Sequence, residues 1–258
     1  MSAFNWDVGV TFMVNTREIV TPDIVVTRLQ AALNGLGGPN CTTATPGANG
    51  CLWLNPFSSA VQSNVVTGQM NNVTFDPNAV NSRELAAWLY QDNTIEDETS
   101  SFVVDAVLNG QMPIGFQAGD ISWAAGVQYR EETLERDPND LADITKNPCV
   151  NSLSGNMNCA TQSGIFTFLG PTTPADLSRD VKAVFGESNV PLLESLSAQV
   201  AVRYEDYGGS VGSTTNPKLS LRWQALDWLT FRGSVGTTFR GPQQTQLANQ
   251  TATVLSFI

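Results

Sequence analysis

The chain of 258 residues suits one large domain or two ordinary ones. Its formal net charge of −11 excludes the basic face that phosphate backbones require, so no nucleic-acid partner is expected. Charged residues are 14% and apolar residues 41%. That charge content is well below the roughly 25% of soluble globular chains. The abundant Asn, Thr, Ser and Gly suit tight turns and polar loops, and an all-β class is expected. No run approaches the roughly 18 to 20 apolar residues of a membrane-spanning helix. Met1 to Trp6 lack the basic start and apolar core of a signal peptide, so the chain is expected either to be cytosolic or to be missing its true N-terminus.

Phe4, Trp6, Val8, Val10, Phe12 and Val14 alternate with Asn5, Asp7, Gly9, Thr11 and Asn15. This is the period-two pattern of a strand with one apolar face, and about eleven such residues cross a bilayer at a tilt. A long loop is expected next. Thr21 and Pro22 have the form of an N-cap followed by a first-turn proline. Val25, Leu29, Leu33 and Leu36 then recur at helical spacing until Gly35, Gly37 and Gly38 end the helix, whose apolar stripe is expected to pack on the loop itself. Ser82 to Tyr90 predicts a second short helix carrying Leu85, Trp88 and Leu89.

Phe102, Val104, Ala106 and Leu108 mark a second strand, with Asp105 and Asn109 on its other face. After a turn near Gly110 to Gly119, a third follows in which Ile121, Trp123, Ala125, Val127 and Tyr129 alternate with Asp120, Ser122, Gly126, Gln128 and Arg130. Glu131, Glu132, Glu135, Asp137, Asp140 and Asp143 then crowd what reads as a loop. A solvated surface is the plain account of that run; a divalent-ion site competes, although the spacing is not that of an EF-hand. A fourth strand, Arg179 to Val190, alternates less cleanly, and Pro191 marks its turn.

The four cysteines form two copies of one spacing, Cys41 with Cys51 and Cys149 with Cys159, each enclosing a short stretch rich in Gly, Asn, Ser, Thr and Pro. Two local disulfides are expected, each worth about 2 to 3 kcal/mol by loop closure, which implies an oxidising compartment. Zinc is the competing reading, but there is no histidine and no short Cys-x-x-Cys knuckle.

The last part of the chain is the most regular. Leu196, Ala198, Val200, Val202 and Tyr204 alternate with Ser197, Gln199, Arg203 and Glu205. After a glycine loop, Leu219, Leu221, Trp223 and Ala225 alternate with Lys218, Ser220, Arg222 and Gln224. Past a short turn at Asp227, Leu229, Phe231, Val235 and Phe239 alternate with Thr230, Arg232, Ser234, Thr238 and Arg240. Arg203, Glu205, Lys218, Arg222, Arg232 and Arg240 therefore share the polar face of an antiparallel meander. Slipping the register by one would turn Arg203, Arg222 and Arg232 toward lipid, at roughly 2 to 4 kcal/mol each near the midplane.

Seven strands are expected, with connections alternating long, short, long, short, medium, short. Simple reversal of direction then puts both long loops and both cysteine pairs on one side, the asymmetry of an outer-membrane barrel. Trp223 and Trp228 beside one turn, and Tyr204, Tyr207 and Phe239 toward the other end, suit interfacial girdles. A secreted β-sandwich binding or adhesion module with disulfide-tied loops is the alternative. It leaves unexplained two loops far longer than the roughly 15 residues usual in compact domains.

The segment NPKLSLRWQALDWLTFRGSVGTTFRGP (Asn216 to Pro242) resembles the barrel of TonB-dependent outer-membrane receptors. So do VAVRYEDYGGSVGSTTNPK (Val200 to Lys218), FVVDAVLNG (Phe102 to Gly110), LNGLGGPNC (Leu33 to Cys41) and CLWLNPFS (Cys51 to Ser58). The resemblance covers nearly the whole chain, residues 1–258. It implies a Gram-negative outer membrane, a barrel of about 22 strands closed around a plug, and import of a scarce nutrient, a siderophore, vitamin or oligosaccharide, driven through TonB. It further implies extracellular loops near residues 16–88, 131–178 and from 241. No plug or TonB box is recognised, so contact with the TonB complex is expected only through a plug that this sequence lacks. Residues 243–258 read as the start of another loop, and the chain is expected to be an internal or truncated piece of a receptor barrel. Seven strands alone would leave edge groups unpaired in lipid, at several kcal/mol per group; insertion is expected to require completion by a further polypeptide.

No catalytic residue, cofactor site or metal site is expected: there is no histidine, no phosphate-cradling Gly-Lys-Ser loop and no nucleophile elbow. Outer-membrane lipid and a small-molecule or oligosaccharide ligand are the expected partners. Trp53, Phe57, Trp88 and Phe166 could stack on a sugar or other flat ligand, and Arg130, Arg203 and Arg240 could meet an anionic one. Loop packing for the aromatics and lumen solvation for the arginines are the competing accounts.

Overall fold

Strands form along each alternating pattern, in several places well past its end and in the last one stopping short of it. The computed structural model describes residues 4–57, 62–63, 67–68, 75–77, 79–116 and 118–248. The strands are β1 (Phe4–Ile24), β2 (Tyr90–Phe116), β3 (Gly119–Pro138), β4 (Ala175–Leu193), β5 (Leu196–Asp206), β6 (Ser213–Leu226) and β7 (Leu229–Gly236). They form one seven-stranded sheet in chain order, each beside its sequence neighbours. It is an all-β antiparallel barrel segment.

The register of the last four strands runs Phe185 to Arg203, Arg203 to Asn216, Ser197 to Arg222 and Arg222 to Arg232. Among the first four, contacts run in opposite order along each pair. Asn5 bonds Asn109 while Thr16 bonds Glu98; Ser100 meets Thr133 while the Asn139 amide donates to the Thr94 carbonyl. Tyr129 donates to Asp180 and Ser188 to the Ser122 carbonyl.

Two compact units divide the chain: the first takes residues 1–16, 98–135 and 175–258, the second 17–97 and 136–174. β1, β2 and β3 contribute residues to both. In the first unit the sheet leaves its apolar face uncovered. In the second, the two long connections build small cores of their own. Val25, Ala142, Ile165 and Phe166 form one, with Leu141 and Leu169 against it. Ala32, Leu85 and Leu89 form the other, with Leu52, Leu54 and Trp88 beside them. Both expected disulfides, Cys41–Cys51 and Cys149–Cys159, are formed, and both lie in this unit.

Several expectations are corrected. Thr21 and Pro22 do not start a helix; they lie in β1, and α1 spans Val26–Leu33 with Val25 at its N-cap. The pull of Thr-Pro toward a helix start loses because the adjoining backbone is paired: Val25 donates to the Leu89 carbonyl and Thr167 to that of Ile24. The buried position of α1 is Ala32, while Leu33 is exposed. The second helix, α2 (Arg83–Leu89), is where expected; the Ser82 hydroxyl caps it by accepting from the Leu85 amide. The acidic run is not loop up to Asp137, because β3 continues to Pro138. β2 begins at Tyr90, well before Phe102. These added lengths are mostly polar, and their few apolar residues, such as Ile19, Val20 and Leu134, do not alternate, so no apolar pattern announced them. Asp97 of β2 holds them by bonding Arg17 of β1 at 2.7 Å and Arg136 of β3 at 2.6 Å. β7 ends at Gly236, so Phe239 and Arg240 lie beyond it rather than on its two faces. Of the loop expected over residues 243–258, Gln244–Ala248 form a short helix, α3, and residues 249–258 lie outside the described residues, as does Ser58.

Candidate functional site

Paired positions in adjacent strands share a face, so the register fixes which side chains face together. On one face of the first unit stand Phe4, Trp6, Val8, Val10, Phe12 and Val14 of β1, Val200, Val202 and Tyr204 of β5, and Leu219, Leu221 and Trp223 of β6, all exposed. Trp6 is 71% and Val235 69% exposed, values that a soluble core would not tolerate in a contiguous face. Trp223 and Phe231, a cross-strand pair, stack with ring centroids 5.7 Å apart. The apolar run of β1 spans about eleven residues, the length a tilted strand needs to cross hydrocarbon.

The opposite face carries Gln199, Arg203, Ser220, Arg222, Arg232 and Ser234. It borders a cavity of about 710 Å³ lined by amides and carboxylates, among them Asn5, Asn109, Asp120, Glu187 and Gln199. One sheet with an exposed apolar face and a wet polar face is what a barrel wall requires. It does not favour the sandwich, which needs a closed apolar core between two sheets.

The family described as TonB dependent receptor-like, beta-barrel, matches residues 48–256. The chain belongs to that family. No curated protein and no solved structure matches it. TonB-dependent receptors are outer-membrane transporters of Gram-negative bacteria rather than enzymes, and in that setting the polar face of the receptor wall is the candidate site.

Near the β5–β6 connection this face carries a bonded cluster. Arg130 and Arg179 both pair with Glu132, Arg130 through Nε at 2.6 Å. Arg203 bonds Glu205 at 3.0 Å and Gln128 at 2.9 Å, and its guanidinium carbon lies 5.8 Å from the Phe185 ring centroid. The Tyr207 hydroxyl donates to Glu205 at 2.9 Å. Burial first, then the Glu205 carboxylate, push the Tyr207 phenol above its ordinary value, so it remains a donor at neutral pH. The Nε atoms of Arg130 and Arg179 are buried without an aligned acceptor among the described residues. The structure therefore brings Arg130 and Arg203 into one network but leaves Arg240 exposed beyond β7.

The aromatic candidates all lie in the second unit and are dispersed there. Phe57 is 93% and Trp53 57% exposed; the Trp53 ring closes over Gly35, where a Cβ would sit 2.4 Å from Cε2. Trp88 packs on the Leu85 core, with the Arg28 guanidinium carbon 5.7 Å from its ring centroid. Phe166 is a core residue. Sequence reasoning missed Glu132, Arg179 and Tyr207. Parity was the available signal, since Glu132 and Arg179 fall on the polar face of β3 and β4, and Tyr207, one residue past β5, continues the parity of Arg203 and Glu205. It also missed Asp23, a buried carboxylate that accepts the amides of Ile24, Phe168 and Leu169.

Three of the six acidic residues of the run, Glu132, Asp140 and Asp143, are paired with cations. Glu132 pairs with two arginines, and Lys146 bonds Asp140 at 2.6 Å and lies 3.6 Å from Asp143. Among the described residues no group of three or more acidic or cysteine side chains is arranged to hold a metal ion.

Proposed function

We propose that the chain forms part of the wall and loop apparatus of an outer-membrane active transporter importing a scarce nutrient, a siderophore, vitamin or oligosaccharide, with energy delivered through TonB. The observation that carries this reading is the sheet of the first unit, apolar and exposed on one face and polar and cavity-lined on the other, in a member of the receptor family. Such a wall performs no bond chemistry; it solvates a passing ligand through amides, hydroxyls and fixed charges while excluding lipid. Coupling to TonB runs through a plug. In this reading the extracellular loops comprise residues 16–88, 131–178 and those from 241, and they gather the ligand. Trp53 and Phe57 offer exposed ring faces, and Arg240 an exposed guanidinium, to that first contact. Arg130 and Arg203 act within their ion pairs to shape the lumen, and Trp88 and Phe166 act as supports beneath the loops.

The test is uptake by Gram-negative cells carrying the gene, using a panel of labelled ferric siderophores, cobalamin and oligosaccharides. The expected result is accumulation of one class that is abolished by a protonophore and by loss of TonB. Accumulation indifferent to both treatments, or none across the panel, would contradict the reading.

A further inference from the structure

The chain leaving β7 turns back over the polar face instead of continuing its strand, and several contacts hold it there. Arg179 of β4 donates one guanidinium nitrogen to the Pro242 carbonyl at 2.8 Å and another to Glu132. Gln244 is buried and donates to the Glu132 carbonyl at 3.2 Å. Phe239 meets Tyr207 edge to face, with centroids 5.5 Å apart. Gly241 lies so close to that ring that a Cβ would sit 2.6 Å from Tyr207 Cε1, and the ring cannot easily yield because its hydroxyl is tied to Glu205. The guanidinium carbon of Arg179 also stands 5.4 Å from the Tyr207 ring centroid.

We propose that residues 237–244 form a strap, docked over the Arg130–Glu132–Arg179–Tyr207 cluster and anchored by Arg179, whose release uncovers that cluster to the interior of the barrel. Arg179 is suited to the task because one fork serves both sides of the contact. It holds Glu132 of the wall with one nitrogen and the strap backbone with the other, so loss of its charge removes the link without removing the platform. Among the described residues the strap makes no ion pair with the cluster, Arg240 pointing to solvent. It is held by a carbonyl, an amide side chain and ring packing, all of which separate without leaving a buried ion alone, since Glu132 keeps Arg130. That is the construction of a reversible cover rather than of a permanent core.

Arg240 is exposed within the strap and provides a reporter. In outer-membrane fractions containing the full chain, trypsin cleavage after Arg240 is followed against cleavage after Arg83, exposed on α2. Arg179→Gln loosens the strap from the wall side, and Gly241→Ala from the strap side with the wall intact. Each is expected to speed cleavage after Arg240 about tenfold, the scale of one charge-assisted contact when local opening limits proteolysis, with cleavage after Arg83 unchanged. Wild-type rates in both variants would overturn the strap. Equal acceleration after Arg83 would overturn it too, by showing general loosening.

Discussion

Asp23 shows how much can rest on one side chain. It is 3% exposed, and its two oxygens accept three amides, those of Ile24 at 2.6 Å, Phe168 at 2.9 Å and Leu169 at 2.7 Å. These bonds tie the end of β1 to the segment before β4. Asp23→Asn replaces one acceptor with a donor that faces donors; the expected cost is roughly 1 to 3 kcal/mol for each amide left unsatisfied. Thermal unfolding and amide exchange of residues 165–169 measure it, and wild-type protection there would contradict the account. Asp143 gives the pH dependence. Burial pushes its carboxyl up, but hydrogen bonds from the Thr145 hydroxyl and amide, then Lys146, outweigh burial and leave it below its ordinary 3.8. A depressed carboxylate contributes stability that is present above its unfolded value and lost as pH falls through the folded one. Order in residues 139–147 is therefore expected to be constant at neutral pH and to fall away only below about 3.8, read by amide exchange across an acid series. Asp23 did not announce itself in the sequence, and Asp143 did so only as one member of the acidic run. Asp23 sits beside a proline in a Thr-Pro-Asp run that reads as a helix start, and two of its three donors, Phe168 and Leu169, come from a segment far along the chain.

At the scale of elements, the legible strands were those with one apolar face, and the illegible lengths were those without apolar alternation. Leu196 to Tyr204 and Leu219 to Trp223 give the face of each side chain from parity alone. Residues 16–24 and 90–101 are mostly Thr, Arg, Glu, Asp, Asn and Ser with a few apolar residues that do not alternate, and they are extended because ladder bonds and the Arg17–Asp97–Arg136 bridges outlast the apolar pattern. The helix α1 was legible in kind but not in start, since a paired backbone overrode local N-cap chemistry. The disulfides were legible because two equal, flexible cysteine spans have little other use in a chain without histidine. Close strand packing was not. A Cβ on Gly126 would lie 2.5 Å from Phe185 Cζ and 2.8 Å from the Ala106 carbonyl oxygen. The ring could rotate, but the carbonyl belongs to the neighbouring strand. Gly126→Ala is expected to cost about 1 to 3 kcal/mol by overpacking, seen as a lowered unfolding midpoint in detergent by tryptophan fluorescence; an unchanged midpoint would mean that β2 and β3 are less closely apposed.

For the whole molecule, the first unit is a wall with two solvents, and parity decides which side chain meets which. Hydrocarbon on one face explains why Trp6, Phe12 and Val235 stand exposed. Water on the other explains the amides, hydroxyls and paired charges around the cavity. The family match places this wall among receptors whose substrates differ, and substrate choice was not legible because it resides in loop and lumen surfaces shaped by tertiary contacts. The most direct measurement of the two-solvent wall is a scan of single spin labels along β5 and β6 in outer-membrane fractions, comparing collision with lipid-borne oxygen and with a water-soluble nickel chelate. Labels at positions 200, 202, 219 and 221 are predicted to favour oxygen, and labels at 199, 203, 218 and 220 the chelate, alternating residue by residue. Equal accessibility of both parities would contradict the barrel-wall account.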